Sequence, residues 1–226
     1  MAAEPSPIRL NGVPLAAEPE GALHWADEAT LVVADLHLEK GTSYAPAGSF
    51  LPPYDTRATL AALATLVDRL RPQRVICLGD SFHDGGAAGR LDAADQRTLA
   101  DAIARVAEWW WVAGNHDPTP PDGLGGRVAE EVTIGPLVFR HQADAARPDG
   151  EVSGHYHPRA AVKLRHGRLG GRCFVEDGRR LILPAFGAYA GGLDVRDPAI
   201  ADLFAPAARI HVIGRGRIHA FPVTAL

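Results

Sequence analysis

The chain has 226 residues, 46% hydrophobic and 22% charged, a balance that suits one soluble domain with a substantial core and is a tight fit for two. Its formal net charge of −4 argues against a uniformly basic coat for nucleic acid, and no apolar run approaches the roughly 20 residues that span a bilayer. The opening Met-Ala-Ala-Glu-Pro run has neither the basic nor the apolar segment of a secretory leader, so a cytoplasmic protein with no membrane partner is expected. Cys77 and Cys173 are the only cysteines; both sit in apolar or strand-like runs and read as buried thiols rather than a disulfide.

In chain order, Thr30-Leu31-Val32-Val33-Ala34 reads as a short buried strand. A helix N-capped by Asp55 follows, with Leu60, Leu63, Leu66, Val67 and Leu70 on one face and an end near Pro72. Arg74-Val75-Ile76-Cys77-Leu78 is a second strand. A second helix is predicted from about Ala93 to Glu108, with Leu99, Ile103 and Val106 inward, leading into a strand from Trp109 to Ala113. This β-α-β-α-β order implies a sheet with helical crossovers.

After Gly123-Leu124-Gly125-Gly126 the pattern becomes short strands with tight turns: Val128 to Ile134, Leu137 to His141, Val152 to Ser153, Ala161 to Arg165, Arg172 to Val175 and Leu181 to Leu183. Residues 210 to 213 and 217 to 221 read as a terminal hairpin about Gly214-Arg215-Gly216. The chain is therefore expected to be α/β, with a two-layered β core flanked by helices. No linker or repeat divides it.

Five motifs punctuate these elements: Asp35-Leu36-His37, Gly79-Asp80, Gly114-Asn115-His116-Asp117, the isolated His141, and Gly154-His155-Tyr156-His157. Their carboxylates, amide and imidazoles are enough oxygen and nitrogen donors for two divalent metals. The first three motifs follow successive strands, which places them at strand carboxyl ends, where open α/β sheets have their ligand crevice. If each D-x-H or H-x-H pair continues its strand, its alternate side chains face the same way.

The ordered set D-x-H, GD, GNHD, H and GHxH resembles the calcineurin-like metallophosphoesterase family. The resemblance implies a four-layer α+β fold of two packed mixed β-sheets flanked by helices. It puts Asp35, His37, Asp80 and His157 on one metal and Asp80, Asn115, His141 and His155 on the other, with Asp80 bridging. The reaction it implies is in-line attack on phosphorus by a metal-bridging hydroxide. His116 would then protonate or stabilise the departing oxygen, and Asp117 would orient the His116 ring. Mn²⁺ is the first expectation for the metal, with Fe or Zn²⁺ as alternatives.

Protein phosphatases of the family carry an aspartate where this chain has His83, whereas double-strand-break repair nucleases have a similar GDxFH arrangement. His83 is therefore expected to handle a nucleic-acid phosphate; the plainer reading is a loop histidine bonded to Asp84. The stretches 34 to 41, 51 to 56, 77 to 84 and 183 to 189 resemble the bacterial ligase-associated DNA damage response endonucleases within this family. That resemblance implies DNA as substrate and association with a DNA ligase, an exonuclease and a helicase. The alternative is a small-molecule phosphodiesterase or phosphatase; a non-catalytic scaffold fits poorly with an intact ligand set.

Between Arg159 and Arg180 seven Lys/Arg face two acids, a local surplus of five positive charges that leaves the rest of the chain at −9. This is either a phosphate-backbone contact surface or a solvated hairpin. Tyr44, Phe50 and Tyr54, beside Lys40, would stack on bases, or Phe50, Leu51 and Tyr54 would pin their loop to the helix that follows. Gly187-Ala188-Tyr189-Ala190-Gly191-Gly192 reads as a flexible or close-packed turn near the site. Trp109, Trp110 and Trp111 are read as sheet-face packing. His24, His166, His211 and His219 are given no functional role.

Overall fold

The computed structural model describes residues 4–43, 54–117 and 123–226. Its architecture follows from the alternation of side chains along two central strands, β4 (Thr30–Ala34) and β5 (Arg74–Leu78), which pair in parallel with Ala34 opposite Leu78. Leu31, Val33, Val75 and Cys77 point to one face and Val32, Ala34, Ile76 and Leu78 to the other, and all are buried. With both faces apolar, both must be covered.

On the first face lie α2 (Asp55–Leu70) and α4 (Ala93–Ala104), which contribute Leu60, Leu63, Leu66 and Leu99. Trp109 and Trp111 of β6 (Glu108–Val112) join them, while Trp110 turns to the other face, where the Arg127 guanidinium lies 5.3 Å from its ring. The second face packs on another sheet through Phe139, Val152, Phe174, Leu181 and Leu183. Truncating one of these shared core side chains to alanine costs about 2–5 kcal/mol.

The first sheet runs in sequence order: β1 (Ser6–Leu10), β2 (Val13–Ala17), β3 (Leu23–Trp25), β4, β5, β6 and β7 (Arg127–Ala129). Pairing is antiparallel as far as β4 and parallel from β4 onward. The second sheet uses β8 (Glu131–Ile134), β9 (Leu137–Arg140), β10 (Glu151–Ser153), β12 (Gly167–Glu176), β13 (Arg180–Ile182), β14 (Arg209–Gly214) and β15 (Arg217–Pro222). Their order is β15-β14-β12-β13-β10-β9-β8, and β11 (Arg159–Leu164) pairs with β12 beside this path. Because β10 is parallel to both β9 and β13, the second sheet is mixed like the first. This is the expected pair of packed mixed sheets with helices on their flanks.

Local departures from the sequence reading have identifiable causes. Asp55 is the first helical residue rather than the cap: Tyr54 takes the cap position without a side-chain bond, and the Asp55 carboxylate accepts from the Gly41 N–H at 2.7 Å. The Asp92 carboxylate caps α4 by accepting from the Ala94 and Asp95 N–H groups, each at 2.8 Å. That helix stops at Ala104 because Glu108 is already paired with Arg74 in the sheet. The run Val128 to Ile134 is two strands, since β7 completes the first sheet and β8 starts the second. The hairpin β1–β2 was not foreseen, although Asn11-Gly12, with φ of 47° and 82°, has a hairpin turn's left-handed backbone. Tyr44 and Phe50 lie outside the described residues, and Tyr54 is exposed.

Candidate metal centre

Every candidate ligand motif begins within three residues of the end of a strand. Ala34, Leu78 and Val112 are level with one another at the carboxyl ends of β4, β5 and β6, and Asp35, Gly79 and Gly114 follow them. His141 comes directly after β9 and Gly154 directly after β10. Both sheets thus deliver ligands to one rim.

The ligand pairs do not continue their strands. Asp35, His37, Asp80, His155 and His157 all have positive φ, between 44° and 70°, a conformation that costs of order 1–3 kcal/mol for a non-glycine residue. Their spacing therefore reflects a chain that coils past the strand end rather than strand alternation. Main-chain bonds hold the coil: the His37 N–H donates to Asp80 O at 2.9 Å, and the Phe186 N–H to Ala34 O at 2.8 Å. Gly79, at φ +69°, must be glycine because a Cβ there would sit 2.4 Å from His141 Nδ1.

Two groups of side chains converge on this rim. In the first, Asp35, His37 and His157 have ligand atoms within 4.8 Å of one another; His37 Nε2 is 3.2 Å from His157 Nε2, which is 3.4 Å from Asp35 Oδ1. In the second, Asp80, His141 and His155 cluster equally closely. His141 Nε2 lies 2.9 Å from Asn115 Oδ1, 3.1 Å from His155 Nδ1 and 3.5 Å from Asp80 Oδ2. The same Asp80 oxygen is 3.9 Å from His37 Nε2, so it faces both groups.

The donor set fits divalent metal ions. His141 Nδ1 donates to Leu78 O at 2.9 Å, which turns Nε2 to the centre. There it meets an amide oxygen and a carboxylate oxygen, a convergence of donor atoms of the kind a divalent cation takes. Burial, with neighbouring His157, pushes the His37 imidazole down to about 2. Burial and His141 lower His155, against the pull of Asp35 and Asp80. These imidazoles stay neutral, the form that binds metal.

Beside the two groups stands a third convergence, His37, His83 and His116. The His83 and His116 rings stack at 5.2 Å and 23°. His116 Nδ1 donates to the His83 carbonyl oxygen at 2.9 Å, so the ring is oriented by the 80–83 loop and not by Asp117. The Asp117 carboxylate instead accepts from the Phe82 N–H at 2.9 Å and braces that loop, its pKa raised to about 6 by burial. The Asp84 carboxylate, the plain partner for His83, is occupied by Arg90, whose Nη2 and Nη1 donate to it at 2.7 and 3.0 Å. Sequence reasoning missed Arg90; its only local signal is its place at the end of α3 (Ala87–Arg90), the helix that follows His83.

The family model for calcineurin-like phosphoesterases matches residues 29–181, the window that holds every one of these candidate ligands. The chain belongs to the calcineurin-like phosphoesterase family. Members of this family hold two divalent metals, and this calcineurin-like phosphoesterase has two candidate ligand groups, with Asp80 of the second 3.9 Å from His37 of the first. Among solved structures it is similar to the Pseudomonas putida nuclease MPE, with a TM-score of 0.73 and 28% identity over 96% of this chain and 100% of that one. No curated protein matches it.

Beyond the metal rim, the basic stretch divides. Arg180 is buried on Glu151, and Arg179 is paired with Asp149 at 2.6 Å, so both are structural. Arg159, Lys163, Arg165 and Arg168 are exposed on the β11–β12 hairpin and have no ion pair among the described residues. Gly187 of the 187 to 192 turn packs onto the first motif, its N–H donating to Asp35 O at 3.2 Å.

Proposed function

We propose that this phosphoesterase is a Mn²⁺-dependent phosphodiesterase that cuts DNA as an endonuclease in bacterial DNA repair, in the cytoplasm, alongside a DNA ligase, an exonuclease and a helicase. The observation that carries the chemistry is the pair of adjacent candidate ligand groups, with Asp80 of one facing His37 of the other, set against the stacked His83 and His116. The nuclease title of the solved relative supports DNA as substrate.

Asp35, His37, Asp80, Asn115, His141, His155 and His157 would hold two divalent ions, which would lower the pKa of water and offset charge on the phosphate. Around them the protein positions and protonates. His116, tied through Nδ1 to the His83 carbonyl, has Nε2 left to donate a proton to the departing oxygen. His83, stacked on it, would hold a non-bridging phosphate oxygen. Asp117 keeps the 80–83 loop, and with it the His83 carbonyl, at a fixed distance from Asp80.

The test is a panel of single-stranded DNA, duplex DNA, a diester reporter and a monoester reporter, each with Mn²⁺. Cleavage of DNA and of the diester is expected. Preference for the monoester with no DNA cut would sink the nuclease reading in favour of a small-molecule phosphatase. His83→Ala is expected to impair DNA cleavage; unchanged cleavage, with His116→Ala inactive, would remove His83 from the mechanism.

A further inference from the structure

A cleft of 340 Å³ opens directly beside the metal centre, lined by His157, Arg159, Arg172, Glu20, Thr59 and Gly187. On the far side of Arg159 it meets a second depression of 510 Å³, which includes Arg168, Gly192 and Asp194. Arg159 borders both. It stands two residues beyond His157, a reach of roughly 6.6 Å along an extended chain.

The electrostatics of this cleft are unbalanced. Arg159 and Arg172 are directly opposite one another on β11 and β12, so two guanidinium groups share one face, an arrangement that is unfavourable without a counterion. Arg172 gives its donors to three backbone oxygens, Ala185 at 3.0 Å, Phe186 at 3.1 Å and Glu20 at 2.6 Å. None of these carries a formal charge, and burial together with Arg159 lowers its pKa. Neither arginine forms an ion pair with a carboxylate among the described residues. The two acids bordering the depressions are taken: Glu20 is held by Arg69 at 3.2 Å and Asp194 by Arg196 at 2.8 Å.

A pair of guanidiniums with no ion-pair partner among the described residues, next to a phosphoester-cleaving centre, calls for an anion, and the fork geometry of arginine suits a phosphate. We propose that Arg159, backed by the fixed charge of Arg172, is a subsite for the phosphate next to the scissile one in a DNA strand. The strand then runs from the metal centre over Arg159 toward Lys163, Arg165 and Arg168 on the hairpin. This rests on the nuclease reading given above, and it makes the length of the chain on the His157 side a determinant of substrate choice. A monoester or an isolated diester leaves the subsite empty.

The test measures binding of a fluorescent single-stranded oligonucleotide to chelator-treated protein by anisotropy at several salt concentrations. Loss of one phosphate contact lowers the slope of log affinity against log salt by about 0.7, which is about eightfold in affinity near 50 mM salt. Arg159→Gln should show both changes and Arg159→Lys should restore most of the slope. Arg97→Gln, which removes an exposed charge from α4, should match wild type. An Arg159→Gln slope and affinity equal to those of wild type overturn the subsite. Adding Mn²⁺ to the same samples separates this from the underlying reading: wild type that binds with the Arg159-dependent slope but never cuts supports the subsite and overturns the nuclease. Cutting without Arg159-dependent binding does the reverse.

Discussion

Arg90 touches no candidate ligand, yet the geometry makes it a positioning residue for His83. Its guanidinium grips Asp84 through two bonds of 2.7 and 3.0 Å and reaches Thr42 Oγ1 at 3.0 Å, joining α3 to α1 (Lys40–Ser43). The ion pair is about a third exposed, at 31% and 41% for the two side chains, so its contribution to stability belongs in the 0–1 kcal/mol range of surface pairs. For a chain of this size that is a fall in Tm of no more than about 4 °C in Arg90→Ala. Its contribution to activity is larger, because a displacement of about 1 Å in a positioned group costs on the order of a hundredfold. The expected result is a 10- to 100-fold loss in kcat for DNA cleavage with nearly unchanged Tm. The decisive comparison is a double-mutant cycle, in which Arg90→Ala adds little to His83→Ala because both act on one ring. Full, independent losses in the double variant would refute the link, as would wild-type kcat in Arg90→Ala.

Three further outcomes follow from burial and charge. His37 has its folded pKa lowered to about 2 from 6.5; the unfolded chain therefore binds the extra proton between those values, and stability is complete above pH 6.5 and lost as pH falls. Chelator-treated protein should lose up to about 1.4 kcal/mol per pH unit below pH 6 from this group, and urea titrations of His37→Gln should show a correspondingly flatter profile. Arg180→Ala removes the closer of two arginines on the buried Glu151, leaving Arg140 at 3.6 Å, and should cost about 2–4 kcal/mol in the same assay; a loss under 1 kcal/mol would show that Arg140 alone compensates the carboxylate. Cys77 and Cys173 are fully buried, and burial raises both thiols, so a thiol reagent at pH 8 should find neither in the native protein and both in denaturant.

What could be read from sequence divides along physical lines. Strands β4 and β5 were legible residue for residue, because a continuous apolar run closed by a ligand motif has one reading. The end of α4 was not: Ile103 and Val106 keep the helical spacing, and only sheet pairing at Glu108 stops the helix. Nor was the change of sheet between Ala129 and Glu131, since alternation persists whichever sheet a strand joins. At the site, the convergence of the candidate ligands was evident from motif order, yet the backbone reason for their spacing was misread, because left-handed conformations at Asp35, His37, His155 and His157 arise from contacts between distant motifs. Charge counting between 159 and 180 could not separate Arg172 and Arg180, which are held inside by Ala185 O and Glu151, from the exposed hairpin cations. Arg90 escaped for the same reason: its partner Thr42 is 48 residues away in sequence.

The central claim, one dinuclear centre bridged by Asp80 that cuts DNA, is tested most directly by measuring bound Mn²⁺ per chain and DNA nicking on the same preparations of wild type and Asp80→Asn. The account predicts two equivalents of metal and chelator-sensitive nicking in wild type, with both reduced in Asp80→Asn. Wild type that holds two metals but leaves DNA intact would contradict the nuclease assignment, and an Asp80→Asn protein with full metal content and full nicking would contradict the bridge.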